Sequence, residues 1–343
     1  MQCTAWGGDA MEAAGAELKM HYRDLAFMGF IEVLFNIRTI LKNIAYCKKD
    51  IAALKPDVLV LIDYPGFNLR IAEFAHEHNI KVVYYISPQV WAWNAKRVKK
   101  IKTHVERMLV ILPFEKEFYR EYNMEVDFVG HPLLDAKYQR PEVDPIYRKG
   151  ELNLHPEKPV IALLPGSRKQ EINAVLPLML KAAQTDDYQI AVAGAPSQND
   201  ELYLGIMEAI DVPATLVRNR TYDLLEISSA ALVTSGTATL ETALFKVPEV
   251  VCYKGNAFSY IIARQLIKVK YISLVNLVLD EPFLEELIQG ELSVPNLRQA
   301  LQKCLNPENQ AFFEDKYNQL EQKLGGVGAS QNAAQIVVQE AQE

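Results

Sequence analysis

Two glycine-containing turns in the second half of the chain have residue types that suit phosphate binding. Each follows a short apolar run and precedes a segment of helical periodicity. The turn residues are Gly166, Ser167 and Arg168 in the first and Ser235, Gly236 and Thr237 in the second. Small residues at a strand-to-helix turn leave the first amide N–H groups of the helix open to an anion, and an arginine adds a bidentate donor. One such turn alone also fits a plain tight turn, but the pair favours a nucleoside diphosphate site.

Glu241 follows the second turn at a distance of about one helical turn. Its carboxylate could accept hydrogen bonds from ribose hydroxyls, and a solvated helix residue is the alternative. The chain contains neither GxGxxG nor GxxxxGK[ST], so dinucleotide-binding and P-loop sites lack support.

A second group of candidates lies in the first half, where polar residues follow apolar runs. Asp63 comes directly after Val58 to Ile62 and before Pro65-Gly66, with Asn68 close behind. A partly desolvated carboxylate there could act as a general base; the alternative is a turn aspartate that caps the next helix. Further candidates after other runs are Gln89, Trp93 and His131. Because the carboxyl ends of parallel strands share one edge of a sheet, these loops are expected to line one site.

Two stretches have properties that suit a membrane surface. Residues 28–41 are apolar around most of a helix, more than one core-facing stripe requires. The residues expected to face acyl chains or lipid are Phe30, Ile31, Val33, Leu34, Ile37 and Leu41. A basic cluster suited to anionic headgroups contains Lys96, Arg97, Lys99, Lys100 and Lys102. A fully buried helix and a solvated helix face are the alternatives.

The elements that must position these residues form a repeating pattern. Apolar runs alternate with helical segments, which predicts an α/β fold with doubly wound parallel sheets. The 343 residues exceed one ordinary core, and the proline-rich, charged stretch 137–159 reads as a linker. We therefore predict a first domain over 1–145, a second over 146–307, and C-terminal helices over 308–343 that could return to the first domain.

Composition excludes several classes of protein. The net charge of −7 disfavours nucleic acid as a partner. The four cysteines are scattered, which suggests neither a disulfide framework nor a zinc site and favours a reducing cytosol. No apolar run is long enough to cross a membrane, and no signal-peptide pattern occurs at the start.

Taken in order, these residues resemble the lipid-A-disaccharide synthases, inverting glycosyltransferases with the GT-B fold. The matching stretches are 6–9, 25–29, 55–68, 87–93, 96–97, 112–115, 130–132, 164–168, 235–241 and 271–277, and they span nearly the whole chain. The resemblance implies two Rossmann-like domains that face each other across a cleft. It also implies a peripheral enzyme on the cytoplasmic side of the inner membrane of a Gram-negative bacterium, with a homo-oligomer possible.

The resemblance implies transfer of 2,3-diacylglucosamine from its UDP derivative to the 6-hydroxyl of 2,3-diacylglucosamine 1-phosphate, without a metal ion. Asp63 then corresponds to the general base, and Arg168 to a group that stabilises the leaving UDP. The two turns and Glu241 would hold UDP, and Asn276 matches a family position near the donor.

One departure concerns the beginning of the chain. Family members begin with an apolar strand and a Gly-Glu-x-Ser-Gly-Asp turn, which this sequence lacks. We expect either a start codon upstream of Met1 or a first sheet that is one βα unit short, with part of the acceptor site missing. The alternatives to the enzyme are a non-catalytic UDP-sugar-binding remnant and another GT-B enzyme, such as a UDP-N-acetylglucosamine 2-epimerase.

Overall fold

The computed structural model describes residues 2–24, 37–93, 95–255 and 270–342. The chain divides into two compact units. The first comprises residues 1–88, 97–108 and 336–343, and the second comprises residues 89–96 and 109–335. The domain boundaries that follow from the proline-rich stretch, after residues 145 and 307, stay predictions.

The described residues contain twelve strands. They are β1 (Thr4–Gly7), β2 (Glu17–His21), β3 (Val58–Ile62), β4 (Lys81–Tyr85), β5 (Arg107–Val110), β6 (Asp127–Phe128), β7 (Val160–Leu164), β8 (Gln189–Gly194), β9 (Thr215–Arg218), β10 (Ser228–Thr234), β11 (Glu249–Tyr253) and β12 (Glu286–Ile288). Three parallel arrangements result: the pair β1-β2, a sheet with the order β3-β4-β5-β6, and a sheet with the order β12-β11-β10-β7-β8-β9.

Helices connect most of these strands. In the first half they are Asp9–Ala13, Ile37–Leu54, Pro65–Glu77, Val90–Trp93, Arg97–His104, Glu115–Arg120, Pro132–Tyr138 and Pro145–Glu151. In the second half they are Lys169–Ala183, Asp200–Ile210, Thr221–Glu226, Thr237–Leu244, Leu274–Leu279, Val294–Leu305, Pro307–Lys323 and Ala329–Gln342. Tyr22–Asp24 and Gln289–Glu291 form single 3₁₀ turns.

The six-stranded sheet is covered on both faces, as its central strand β7 demonstrates. Ile161 and Leu163 pack into a core with the helices Lys169–Ala183 and Val294–Leu305. The alternate residues of β7 pack into a second core, which contains Leu224 and Leu225. Because successive strand side chains point to opposite faces, five consecutive apolar residues require two covered faces. The predicted α/β fold with doubly wound parallel sheets is confirmed.

The first unit builds its core on β3 and β4. These strands pair in parallel register from Val58 with Lys81 to Ile62 with Tyr85. The helix Pro65–Glu77, which has proline at its first position, buries Ile71, Ala72 and Ala75. This arrangement fixes the carboxyl end of β3, where Asp63 begins the next turn.

The structure corrects one expectation from the sequence. The stretch 137–159 is not a plain linker: it contains the helix Pro145–Glu151, capped by the Asp144 carboxylate. Arg148 in that helix is buried and pairs with Asp223 and Glu226, which ties the segment to the second unit. The strand β12 pairs with β11 through only three residues, too few to give a period.

Candidate active site

A cavity of about 460 Å³ lies at the carboxyl ends of β7, β8 and β10 in the second unit. Parallel sheets bind their ligands at this edge. The residues of both glycine-containing turns and Glu241 line it: Gly166, Ser167, Arg168, Ser235, Gly236, Thr237 and Glu241. The structure therefore brings together seven of the eight residues expected to hold UDP, and their binding role stays a prediction.

The first turn requires glycine at position 166 for two reasons. Gly166 has a φ of +95°, in the left-handed region that favours glycine. A Cβ atom at this position would also lie 2.9 Å from Oε2 of Glu171. The same Glu171 oxygen accepts from the backbone N–H of Arg168 at 3.4 Å, where the helix Lys169–Ala183 begins. The turn is thus held against its own helix.

Arg168 has a carboxylate partner within this cavity. Its Nη1 donates to Oε1 of Glu171 at 2.8 Å, and its side chain is 80% exposed. The guanidinium can reach an anion by exchanging this partner. The sequence analysis did not identify Glu171. Arg168 is not one of the residue types that begin a capping box, so the glutamate three positions later gave no signal.

The second turn presents a helix end without a side-chain cap. Gly236 precedes the helix Thr237–Leu244 and has no side chain to accept from its first amide groups. These N–H groups and the positive end of the helix dipole can therefore serve an anion in the cavity. The Ser235 hydroxyl, expected to face phosphate, donates instead to the carbonyl of Ile272 at 2.8 Å and so anchors the turn.

Glu241 is half-buried at the wall of the cavity. Burial raises the pKa of its carboxyl group above the ordinary value, and a hydrogen bond from Tyr222 opposes that rise. The Tyr222 hydroxyl donates to Oε1 at 2.8 Å. No sequence signal pointed to Tyr222, because its contact with Glu241 joins residues 19 positions apart on different helices.

Asp63 lies in a strained turn at the end of β3. Asp63 and Tyr64 have φ values of 44° and 42°, which place two consecutive non-glycine residues in the left-handed region. The carbonyl of Asp63 accepts from Asn68 Nδ2 at 2.8 Å and from the hydroxyl of the buried Tyr84 at 2.5 Å. Asn68, expected to face the acceptor, therefore holds this turn. The exposed Asp63 carboxyl group has a pKa raised mainly by partial desolvation.

The remaining residues expected to line the acceptor site differ in their burial. His131 is 4% exposed, and its Nδ1 accepts from the backbone N–H of Leu133 at 3.3 Å as the cap of the helix Pro132–Tyr138. Burial lowers its pKa to about 4, so the ring is neutral at neutral pH. Gln89 is exposed, and the side chain of Trp93 lies outside the described residues.

Asn276 lies away from the two turns. It lines another cavity, of about 550 Å³, at the amino ends of β11 and β12. Asn276 is 1% exposed; its Nδ2 donates to the Leu284 carbonyl and to Glu286, and its Oδ1 accepts from the Leu284 N–H. This amide closes the loop before β12, and the structure does not bring it to the cavity that holds Arg168.

The membrane-facing candidates are described only in part. Phe30, Ile31, Val33 and Leu34 lie outside the described residues, as does the side chain of Ile37. Leu41 is 53% exposed. Lys96 is exposed and Arg97 half-buried. Within the described ranges, no helix is both long and apolar enough to cross a membrane. In the same ranges, no three His, Cys, Asp or Glu side chains group as a metal site.

Comparison with known proteins identifies the family. A family model described as lipid-A-disaccharide synthetase matches residues 1–340. The lipid-A-disaccharide synthase of Syntrophus aciditrophicus is 42% identical over 335 residues, which cover 96% of this chain and 87% of that protein. The enzyme of the same name from Geobacter sulfurreducens is 37% identical, over 97% of this chain and 88% of that protein.

Solved structures show the same fold at low sequence identity. UDP-GlcNAc 2-epimerase from Neisseria meningitidis, bound to UDP-GlcNAc, matches with a TM-score of 0.66 at 11% identity over 96% of this chain and 87% of its own. The calicheamicin glycosyltransferase CalG4 matches with a TM-score of 0.56 at 15% identity over 96% of this chain and 87% of its own. At these identities the likeness shows the fold alone, so it lends the epimerase alternative no support. By sequence and fold, the chain belongs to the lipid-A-disaccharide synthases and is a GT-B glycosyltransferase of lipid A disaccharide synthesis.

Proposed function

We propose that this chain joins two acylated glucosamine units. The donor is UDP-2,3-diacylglucosamine, the acceptor is 2,3-diacylglucosamine 1-phosphate, and the products are a β-1,6-linked disaccharide 1-phosphate and UDP. The observation that carries the proposal is the convergence of both glycine-containing turns and Glu241 on one cavity. The cavity thus offers hydrogen-bond donors to the diphosphate and a hydrogen-bond acceptor to the ribose hydroxyls, and a nucleoside diphosphate needs both.

The donor's diphosphate is the group that the two turns suit. The amides that begin the helices Lys169–Ala183 and Thr237–Leu244 carry partial positive charge, and Arg168 carries a full one. The leaving UDP gains charge as its bond to the sugar breaks, so these donors stabilise the transition state more than the ground state. We propose that no metal ion is needed for this step.

Asp63 is our candidate for the general base. Its carboxylate takes the proton of the acceptor 6-hydroxyl while that oxygen bonds to C1 of the donor sugar. The bond between C1 and the phosphate oxygen breaks, UDP leaves with the electron pair, and the configuration at C1 inverts. Strain at Asp63 and Tyr64 supports this role, because functional sites often retain such conformations.

The acylated substrates call for a membrane surface. The exposed Leu41, the exposed Lys96 and the exposed lysines of the helix Arg97–His104 support a peripheral mode of binding. We propose that the enzyme works at the cytoplasmic face of the inner membrane.

The test is a turnover assay with both acylated substrates and excess EDTA. We expect UDP and disaccharide to appear in equal amounts, at a rate that EDTA leaves unchanged. Loss of activity in EDTA would contradict the metal-free step. Binding of UDP without turnover would indicate a non-catalytic remnant, and conversion of UDP-N-acetylglucosamine to its 2-epimer would indicate an epimerase.

A further inference from the structure

Tyr222 is joined by one hydrogen bond to Glu241, which lines the 460 Å³ cavity of the two glycine-containing turns, called the nucleotide cavity below. It lies in the helix Thr221–Glu226, whose first residue lines the cavity. Its hydroxyl donates to Oε1 of Glu241 at 2.8 Å. Burial and the nearby Glu241 raise the pKa of this phenol, so the proton that makes the bond stays on the tyrosine.

The tyrosine ring is held from two sides. The ring of Phe245 lies 5.2 Å away between centroids. The guanidinium carbon of Arg140 lies 5.6 Å from the centroid of the Tyr222 ring. Arg140 is itself fixed by Glu226, at 2.6 Å, and by Asp223. A ring packed in this way keeps its hydroxyl in place before any ligand arrives.

The hydrogen bond from Tyr222 affects both the ionisation and the orientation of the Glu241 carboxylate. A carboxylate accepts from two ribose hydroxyls best when it is ionised, and burial of Glu241 disfavours that state. A donor on Oε1 compensates for part of the lost solvation and restricts rotation of the carboxylate. The second oxygen then remains as an acceptor for the ligand.

We propose that Tyr222 is a positioning residue of the nucleotide cavity, which holds the Glu241 carboxylate ionised and oriented toward the ribose hydroxyls of a nucleoside diphosphate. The inference rests on the proposed function, because it assumes that UDP occupies this cavity. Other charged groups nearby are Arg140, Asp223 and Glu226 around the ring, and Arg168 and Glu171 in the cavity wall. Each of these carboxylates is paired with an arginine.

The experiment compares Tyr222→Phe with the parent protein by calorimetry, using UDP and 2′-deoxy-UDP as probes at several pH values. We expect the variant to bind UDP about tenfold more weakly, which is the size of one hydrogen bond to a charged group. Binding of 2′-deoxy-UDP should fall less, so discrimination between the two nucleotides shrinks. The acid limit of UDP binding should move to higher pH, because Glu241 loses the donor that lowers its pKa. Tyr147→Phe, at an exposed tyrosine outside the cavity, is the matched control.

A double-variant cycle keeps the inference testable if Tyr222→Phe loosens the fold. In a Glu241→Gln background, replacement of Tyr222 by Phe should change UDP affinity by less than about twofold, since no ionised partner remains. An equal loss for both nucleotides, an unshifted pH profile, or additive effects in the cycle would overturn the inference. Failure of the parent protein to bind UDP would overturn the proposed function instead.

Discussion

At the scale of single residues, Asp63 combines a strained backbone with a solvent-facing carboxylate. We predict that Asp63→Asn lowers kcat by about 10²- to 10⁴-fold, the usual contribution of a general base. UDP affinity, measured by calorimetry, should stay unchanged. Because partial desolvation raises the pKa of this carboxyl group above its ordinary value, the parent rate should fall with decreasing pH as the carboxylate takes up a proton.

The matched control for this variant is Asp57→Asn, which changes an exposed aspartate just before the same strand. It should turn over at the parent rate. Turnover retained by Asp63→Asn would remove Asp63 from the base role.

The lowered pKa of the buried His131 makes the free energy of unfolding depend on pH. Its pKa is about 4 in the folded chain and about 6.5 in the unfolded chain, so the unfolded chain takes up a proton first as the pH falls. The contribution of His131 to stability is therefore present above pH 6.5 and is lost as the pH falls toward 4. Over this interval, the parent should lose about 3 kcal/mol more of its unfolding free energy than His131→Asn.

Asparagine is the replacement of choice at position 131 because it retains the helix cap without titrating. Urea unfolding at pH 7 and pH 4.5 measures the difference, with the exposed His155→Asn as a control. Parallel losses in the parent and His131→Asn would show that the buried ring does not titrate as the structure implies.

At the scale of elements, the strands with continuous apolar runs were the most predictable. Val160 to Leu164 matches β7, because burial on both faces leaves a continuous apolar run. Val58 to Ile62 matches β3, although only Leu61 of that strand is buried. The strands β2, β9 and β12 escaped prediction. The strand β2 is mostly half-exposed and mixed in polarity, β9 has four residues of which only Val217 is buried, and β12 has three residues.

The candidate site also contains some residues that the sequence predicts and some contacts that it does not. Each phosphate-suited turn carries a local signal of glycine between a strand and a helix, so it could be predicted residue by residue. The contact of Tyr222 with Glu241 depends on how two helices pack, and that of Asn276 with Glu286 depends on how a helix packs beside β12. No local pattern encodes either contact.

The C-terminal helix Ala329–Gln342 is attached to the first unit near its end. Glu340 is buried, its carboxylate accepts from Arg107 at 3.0 Å, and its carbonyl accepts from Lys81 at 3.1 Å. We predict that Glu340→Ala lowers the free energy of unfolding by about 1 to 3 kcal/mol, as expected for a hydrogen bond to a charged group. Chemical denaturation checks this value.

The control for this pair is Glu73→Ala, which removes an exposed partner 3.9 Å from Lys100 in the same unit. It should cost at most about 1 kcal/mol. Equal effects of the two substitutions would mean that burial of Glu340 adds nothing to the attachment.

At the scale of the whole molecule, the net charge of −7 conceals a local cluster of opposite sign. Lys99, Lys100 and Lys102 are exposed on one short helix. We predict that changing all three to glutamine weakens binding to vesicles of anionic lipid by at least about tenfold, given about 1 kcal/mol per basic residue at such a surface. Flotation with vesicles at low and high salt measures the change.

The matched triple variant changes exposed lysines of the second unit, Lys158, Lys181 and Lys303, to glutamine. It alters the total charge equally and should leave vesicle binding intact. The same loss in both variants would mean that overall charge, and not this helix, governs attraction to the lipid.

The pairing of Arg168 with Glu171 has a consequence for competing anions. When a diphosphate enters, Arg168 leaves Glu171 and pairs with the phosphate, so one ion pair replaces another. A lone arginine would instead gain an ion pair on binding, and the number of unpaired charges would fall. UDP affinity should therefore decline only weakly with ionic strength. Inorganic phosphate brings no nucleoside contacts to offset the exchange, so millimolar phosphate should displace UDP poorly in a competition titration. The empty site would in this way be protected from the commonest anions of the cell.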